Sequence, residues 1–253
     1  MPFTGNMSAI LIAEYLLSQK REKNILPSNG VIIKSIVSSN MANELAKEYN
    51  IEVKEVLTGF KYIGELIKKY EESHEKEFLF GYEESYGCLI GTHARDKDAI
   101  VAVTVLCEAA AYYKKHGLTL WDQMLNIYKK YGFYKEDIVS ITLEGIAGIK
   151  KIKEIMDRLR NENITKLGEY NVLRIRDYNA ETILDLNTGK EECTNLPKSN
   201  VLYYELENNS WCCVRPSGTE PKIKFYIGVK GTSLEDSEGK IAKLKEEIQK
   251  LVM

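Results

Sequence analysis

Residues 30–57 have the sequence GVIIKSIVSSNMANELAKEYNIEVKEVL. The apolar run Gly30–Val37 predicts a buried strand, Asn40–Tyr49 predicts a helix, and Ile51–Leu57 predicts a second strand. Strands that alternate with helices at this spacing favour an α/β layer whose strands pair mostly in parallel. This stretch therefore predicts the architecture of the part of the chain around it.

The same alternation extends along the first half of the chain and stops near Gly132. A helix capped by Asn6 or Ser8 precedes the stretch, and helices at 62–70, 99–115 and 120–131 and a strand at 77–82 follow it. Beyond Gly132, turns join strands at 137–143, 170–176, 183–186, 201–205, 211–214 and 222–229, with helices at 146–160 and 234–251. We therefore predict a mixed, mostly parallel α/β sheet domain over residues 1–132 and an antiparallel α+β domain over residues 133–253.

Composition argues against several classes of function. The chain has 253 residues and a net charge of −2, which gives no electrostatic footprint for nucleic acid or an anionic membrane. Apolar runs are short, and no export signal is expected, so we predict a cytoplasmic location. The five cysteines include no Cys-x-x-Cys pair and the chain has only three histidines, so we expect reduced thiols and no metal site.

The segment Arg215–Pro221, with sequence RPSGTEP, lies between two predicted strands. It combines a guanidinium group, two hydroxyl groups and a glycine between two prolines, a mixture that suits a phosphate dianion. The alternative interpretation is a turn in which serine and threonine bond their own backbone. Composition alone does not separate the two.

Two further segments concentrate polar groups. Gly81–Gly87 follows a predicted strand; if the strand direction persists, Glu83 and Ser85 point the same way and could bind vicinal sugar hydroxyls. Thr92–Asp98 places several ionisable groups before a predicted helix. Asp98 is expected to cap that helix, whereas a lysine held in a cleft could act as an acid or base. The alternative for the first segment is a solvated strand end.

Lys34 lies inside an apolar strand, where a lysine is costly unless it is paired or reaches an anion. Thr58–Lys61 lies at a strand-to-helix turn. Of the two, Lys34 is the stronger candidate for a ligand contact.

These segments, in this order, resemble the α-D-phosphohexomutase family of phosphoglucomutases and phosphomannomutases. Arg215–Pro221 resembles the family's phosphate-binding loop, Glu83–Ser85 its sugar-recognition loop, Arg95–Asp98 its Lys-Asp motif, and Thr58–Lys61 a loop that contacts the sugar. The resemblance covers essentially the whole chain. Its motifs are individually weak, but their order makes the match specific.

The resemblance implies an enzyme that interconverts sugar 1-phosphate and sugar 6-phosphate through a phosphoserine and a bisphosphorylated sugar. The family has four domains, and this chain resembles the third and fourth. The phosphoserine motif and the Asp-x-Asp-x-Asp-Arg loop for Mg²⁺ do not occur in it. We therefore expect a truncated chain that is inactive alone, lacks the N-terminal domains, and binds neither Mg²⁺ nor a glucose-1,6-bisphosphate-type activator by itself. A phosphopentomutase-type enzyme and a non-catalytic sugar-phosphate-binding module are the alternatives, and the sugar stays open between glucose, mannose and pentose phosphates.

The resemblance also assigns roles to residues. A hexose phosphate or bisphosphate is the expected partner, with Lys97 as candidate acid or base. The remaining assignments are phosphate contacts for Arg215, Ser217, Gly218 and Thr219, and sugar contacts for Glu83, Ser85, Thr58, Gly59, Lys34 and His93.

Overall fold

The computed structural model describes residues 2–162, 164–218 and 220–252, with the side chain of Val252 left out. The chain divides into two compact units, Met1–Gly132 and Phe133–Met253. Within the described residues, no helix is both long enough and apolar enough to cross a lipid bilayer.

The first unit contains a four-stranded mixed sheet with helices packed on it. Its elements in chain order are α1 (Gly5–Glu22), β1 (Gly30–Ser35), α2 (Met41–Tyr49), β2 (Glu52–Val56), α3 (Phe60–Ser73), β3 (Glu77–Tyr82), β4 (Cys88–Ile90), α4 (Ala99–Lys115) and α5 (Leu120–Tyr131). The strand order is β2-β1-β3-β4, in which β1 pairs in parallel with β2 and β3, and β4 pairs antiparallel with β3. Parallel strands bring their carboxyl ends to one edge of the sheet, where ligands bind in such folds.

The central strand β1 is buried at every position, as its apolar sequence predicts. On one face of the sheet, Val31 and Ile33 pack with Ile63 and Ile67 of α3. The apolar spacing of α3 places these side chains on one side of the helix, so burying them orients α3 and the turn that precedes it.

The predicted cap of the first helix is wrong. Thr4 caps α1, since its side chain accepts a hydrogen bond from the Met7 amide. Asn6 lies within the helix instead, and its Oδ1 accepts a hydrogen bond from the Ser39 amide at 3.1 Å. A buried polar group needs such a partner, and the sequence gives no sign that a distant loop provides it.

The second unit is an eight-stranded antiparallel sheet covered by helices. Its elements are β5 (Phe133–Thr142), α6 (Gly145–Asn161), β6 (Lys166–Leu167), β7 (Tyr170–Asp177), β8 (Thr182–Asp185), β9 (Glu191–Cys193), β10 (Leu202–Leu206), β11 (Trp211–Pro216), β12 (Lys222–Gly231) and α7 (Leu234–Val252). The order is β5-β12-β11-β10-β7-β8-β9, with β6 paired to β7. Alternate residues of β11 and β12, including Val214 and Phe225, join Leu244 and Ile248 of α7 in a single apolar core.

The predicted fold class is confirmed, with a mixed α/β sheet in the first unit and a separate antiparallel sheet in the second. The register of the second sheet also determines which side chains share a face. Because Val214 and Pro216 alternate with Arg215, the Arg215 side chain lies on the face opposite the apolar core.

Candidate functional site

In the first unit, polar loops follow the carboxyl ends of the parallel strands. The turn after β2 contains Thr58 and Gly59, and the loop after β3 contains Glu83–Gly87, whereas the segment 91–98 follows β4, which runs antiparallel to β3. Since β3 ends at Tyr82, the strand direction does not persist to Ser85, and the alternation that paired Glu83 with Ser85 does not apply. The two residues lie instead in a loop held by specific contacts.

Glu83 is fixed at the start of α3. Its Oε1 accepts a hydrogen bond from the Gly59 amide at 2.7 Å, and its own amide donates to the Gly87 carbonyl at 2.7 Å. Gly59 has φ of 123°, a backbone conformation that favours glycine. A carboxylate at a helix N-terminus is stabilised by the helix dipole, so the position of Glu83 is well determined. Thr58 precedes Gly59 and is half-buried.

Glu84 and Ser85 form a second set of contacts in the same loop. Ser85 Oγ donates to Glu84 Oε1 at 3.1 Å, and Ser35 Oγ donates to Glu84 Oε2 at 3.3 Å. Burial raises the pKa of the Glu84 carboxyl group. Sequence reasoning gave Glu84 no role, because nothing in the local pattern shows that a serine on β1 reaches it.

The backbone of this loop is braced by the beginning of the chain. A Cβ atom at Gly5 would overlap the carbonyl oxygen of Glu84, so only glycine allows this approach. Tyr86 OH donates to the Phe3 carbonyl at 3.0 Å, and Tyr86 itself has φ of 64°. A non-glycine residue in this region is strained, and such strain often occurs at binding sites.

Lys97 lies beside the same loop. Its aliphatic chain packs against Gly87, where the space for a Cβ atom is filled by Lys97 and approached by Glu83 Oε2. Its ammonium group forms an ion pair with Asp96 at 2.9 Å and lies 5.2 Å from the centre of the Phe60 ring. The hydrogen bond from Lys97 holds the pKa of Asp96 below its usual value. The structure thus brings Lys97 and the Glu83 carboxylate together beside Gly87.

His93 and Asp98 form a separate pair at the start of α4. The Asp98 side chain accepts hydrogen bonds from the Ile100 and Val101 amides, which confirms the predicted helix cap. His93 Nε2 lies 2.9 Å from Asp98 Oδ2, and this hydrogen bond lowers the pKa of Asp98. The His93 side chain remains half exposed, so its ring is accessible from solvent.

Lys34 is held inside the first unit. Its side chain has no exposed area, and its Nζ lies 3.0 Å from Glu55 Oε1 on the neighbouring strand and 3.0 Å from Asn40 Oδ1. It also donates to the Ser38 carbonyl at 3.2 Å. These partners, from β2 and from the turn between β1 and α2, satisfy the buried charge. The predicted sugar contact of Lys34 has no support from this geometry, since no part of the ammonium group reaches the surface.

In the second unit, the loop between β11 and β12 carries the predicted phosphate contacts. The Ser217 amide donates to the Lys222 carbonyl at 2.7 Å, and Ser217 Oγ accepts from the Glu220 amide at 3.3 Å. The Ser217 contact is of the kind that an ordinary serine turn makes. A Cβ atom at Gly218 would meet no described atom within 4 Å. Thr219 lies outside the described residues.

The register of the second sheet adds a residue that sequence reasoning missed. Arg215 is directly opposite Lys224 on β12, and Lys224 is directly opposite Ser140 on β5. Directly paired residues on antiparallel strands share a face with their Cβ atoms about 5 Å apart. Two cations therefore lie side by side, next to a hydroxyl group. A predicted strand pairing of β11 with β12 could have found Lys224, because it is the residue that mirrors Arg215 across the loop.

Metal ligands are not concentrated in the part of the chain that the structure describes. Within residues 2–162, 164–218 and 220–252, no group of three or more His, Cys, Asp or Glu side chains could hold a metal ion. Asp96 pairs with Lys97, and Asp98 pairs with His93, so the two carboxylates do not form a free pair.

Comparison with known proteins identifies the family. Residues 4–131 match the phosphoglucomutase/phosphomannomutase alpha/beta/alpha domain III. A phosphoglucomutase from Staphylococcus saprophyticus subsp. saprophyticus is 38% identical over 234 residues, which are 92% of this chain and 42% of the relative. A phosphoglucomutase from Staphylococcus aureus (strain USA300) is 36% identical over 239 residues, which are 94% of this chain and 42% of the relative.

Solved structures show the same fold. Parafusin from Paramecium, a phosphoglucomutase in an open form, has a TM-score of 0.62 at 17% identity and covers 98% of this chain and 42% of its own. A phosphoglucomutase/phosphomannomutase family protein from Burkholderia thailandensis has a TM-score of 0.54 at 13% identity, over 98% of this chain and 42% of its own. The chain belongs to the phosphoglucomutase/phosphomannomutase family, and it spans 42% of the length of these two solved proteins.

Proposed function

We propose that this chain supplies two recognition elements of a phosphohexomutase, which interconverts sugar 1-phosphate and sugar 6-phosphate through a phosphoserine and a bisphosphorylated sugar. The first unit binds hydroxyl groups of the sugar, and the second unit binds the phosphate that is not reacting. The proposal agrees with family membership and with the chemistry of both loops. Hexose phosphate or hexose bisphosphate is the proposed ligand.

The single observation that carries the proposal is the cross-strand pair of Arg215 and Lys224. Like charges directly opposite each other destabilise a sheet, so the two cations repel each other in the free protein. A phosphate dianion relieves that repulsion and gains charge-assisted hydrogen bonds from both cations. Ser217 and Gly218 are the proposed further phosphate contacts on the same loop, and the backbone at Gly218 is open to a ligand.

On the sugar side, Glu83 and Ser85 are the proposed contacts for vicinal hydroxyls. Glu83 keeps one oxygen, Oε2, that no described hydrogen bond occupies, because the Gly59 amide takes Oε1. Thr58 and His93 are proposed to line the same region. Lys97, which lies beside Gly87 as Glu83 does, is the proposed acid or base, with the alternative role of a charge that stabilises the transferred phosphoryl group.

The chain is proposed to lack two parts of the reaction. The nucleophilic serine and the Mg²⁺ ligands are expected in domains that the longer relatives contain, and Mg²⁺ would there neutralise charge on the transferred phosphoryl group. No glucose-1,6-bisphosphate-type activator can then be used by this chain alone. The purified chain should therefore give no detectable conversion of glucose 1-phosphate, measured by coupled assay. Robust turnover would contradict the proposal that the nucleophilic serine and the Mg²⁺ ligands lie in other domains.

The binding proposal is tested by calorimetric titration with glucose 1-phosphate, mannose 1-phosphate and ribose 1-phosphate. Arg215→Ala should weaken binding of the preferred ligand by about 1.5–3 kcal/mol, the value of a charged hydrogen bond. Arg174→Ala is the matched control, because Arg174 lies in the same sheet but is engaged by Glu192 at 3.1 Å. Equal affinities for Arg215→Ala and the unmodified chain would remove the phosphate assignment. A preference for ribose 1-phosphate would instead indicate a phosphopentomutase-type enzyme.

A further inference from the structure

We infer that Glu84 is a positioning residue that makes the Ser85 hydroxyl group an acceptor, and not a donor, toward the bound sugar. The inference rests on the proposed function, because it concerns the same sugar-binding loop. It adds a rule for substrate recognition: the hydroxyl that meets Ser85 must donate a proton.

The hydrogen bonds around Glu84 fix the direction of the Ser85 proton. An ionised carboxylate can only accept, so in the 3.1 Å contact between Ser85 Oγ and Glu84 Oε1 the serine is the donor. A serine hydroxyl has one proton, and that proton is then committed. What Ser85 Oγ still offers to a ligand is a pair of electrons.

Contacts with Ser35 and Gly5 hold Glu84 in place. Its Oε2 accepts from Ser35 Oγ at 3.3 Å, and Ser35 Oγ lies 2.8 Å from Ser38 Oγ. The carbonyl oxygen of Glu84 packs so closely on Gly5 that no larger residue fits there. These contacts from β1, the following turn and the start of α1 keep the carboxylate where Ser85 can reach it.

Glu83, like Ser85, can only accept hydrogen bonds from a sugar. Its carboxylate is also acceptor-only, and one of its oxygens is already bonded to the Gly59 amide at 2.7 Å. Glu83 and Ser85 together therefore present acceptors to a sugar. A sugar that binds here must direct two hydroxyl protons at the loop, which vicinal hydroxyls can do.

The test uses analogues that change only the donor ability of one hydroxyl. The isotopically labelled 253-residue chain is titrated with glucose 1-phosphate and with its 3-deoxy, 3-fluoro, 4-deoxy and 4-fluoro analogues, following the Gly59 and Ser85 amides by NMR. At the position that meets Ser85, the deoxy and fluoro analogues should bind equally weakly, each about fivefold weaker than the parent sugar. Fluorine can accept but cannot donate, so tighter binding of the fluoro analogue than of the deoxy analogue at either position would overturn the inference and leave the proposed function standing. No response of these amides to glucose 1-phosphate would overturn both.

Two variants separate positioning from a structural role. Glu84→Ala frees the Ser85 proton, so the fluoro analogue should now bind more tightly than the deoxy analogue. Glu84→Gln keeps an acceptor for Ser85, because Ser35 can reverse its hydrogen bond within the pair that it forms with Ser38. It should retain the unmodified pattern. A merely structural Glu84 would change all affinities in proportion, and that result would contradict the inference.

Discussion

Lys224→Gln should strengthen the fold and weaken phosphate binding at the same time. Lys224 and Arg215 are directly opposite across β11 and β12, and both side chains lie on the face away from the apolar core. Glutamine keeps most of the length of the side chain and its capacity to donate, but it removes the charge. The free protein loses a repulsion, while the bound state loses an attraction.

The two magnitudes follow from the geometry. A like-charge pair directly opposite in an antiparallel sheet destabilises it by about 0.2–1 kcal/mol, so the free energy of unfolding should rise by that amount. A charged hydrogen bond to phosphate contributes about 1.5–3 kcal/mol, so the dissociation constant should rise about 10- to 100-fold. Both side chains are partly exposed, so the lower part of each range applies in physiological salt.

The assay combines urea denaturation with calorimetric titration by inorganic phosphate and by glucose 1-phosphate. Trp211 is buried in β11 and reports on the second unit when Trp121 is replaced by phenylalanine. Lys230→Gln is the matched control: Lys230 lies on the same face of the same strand, but its partner is the Tyr134 ring at 5.1 Å. Lys230→Gln should leave phosphate affinity unchanged. If Lys224→Gln lowers stability, or binds phosphate as tightly as the unmodified chain, the reasoning about the cation pair is wrong.

Three further changes test the first unit. Glu55→Gln should lower the free energy of unfolding by about 2–4 kcal/mol, because it leaves the fully buried Lys34 ammonium without its counter-charge, whereas Glu52→Gln at a surface pair should change it by less than about 1 kcal/mol in the same chemical denaturation. Gly5→Ala should displace the carbonyl of Glu84, which would speed hydrogen exchange at residues 84–86 and weaken sugar-phosphate binding. Unchanged exchange and affinity would contradict the bracing role of Gly5. Burial raises the pKa of Glu84, so its contribution to stability is present below the unfolded value near 4.5 and is lost as pH rises through the folded value. Glu84→Gln lacks this loss, so its stability relative to the unmodified chain should increase between pH 4 and pH 7 in thermal unfolding, and a pH-independent difference would refute this.

Sequence patterns were informative where an element is long and its burial is one-sided. The predicted bounds of α4, α5 and β3 match the structure, since caps such as Asp98 and stops such as Gly132 are local signals. The short strands β4, β6 and β9 were missed. Cys88–Ile90 is only three residues long, and Glu191–Cys193 is exposed throughout, so neither shows a periodic pattern.

For the candidate site residues, local patterns were informative and long-range contacts were not predictable. Patterns alone indicated polar loops at strand ends, but not what each side chain contacts. Lys34 was correctly expected to need a partner, yet the partner, Glu55, is determined by the register of β1 against β2. Lys224 and Glu84 were overlooked because their importance depends on strand pairing and on a contact from Ser35, and both are long-range properties of the fold.

The most direct measurement is an NMR titration of the chain in which the amides of Gly59 and Ser217 are followed in one experiment. Inorganic phosphate should shift Ser217 alone, glucose should shift Gly59 alone, and glucose 1-phosphate should shift both amides. Arg215→Ala should weaken the response of Ser217 to glucose 1-phosphate while leaving the response of Gly59 to glucose unchanged. No response of Ser217 to phosphate, or none of Gly59 to glucose, would contradict the account that the second unit binds phosphate and the first unit binds sugar hydroxyls.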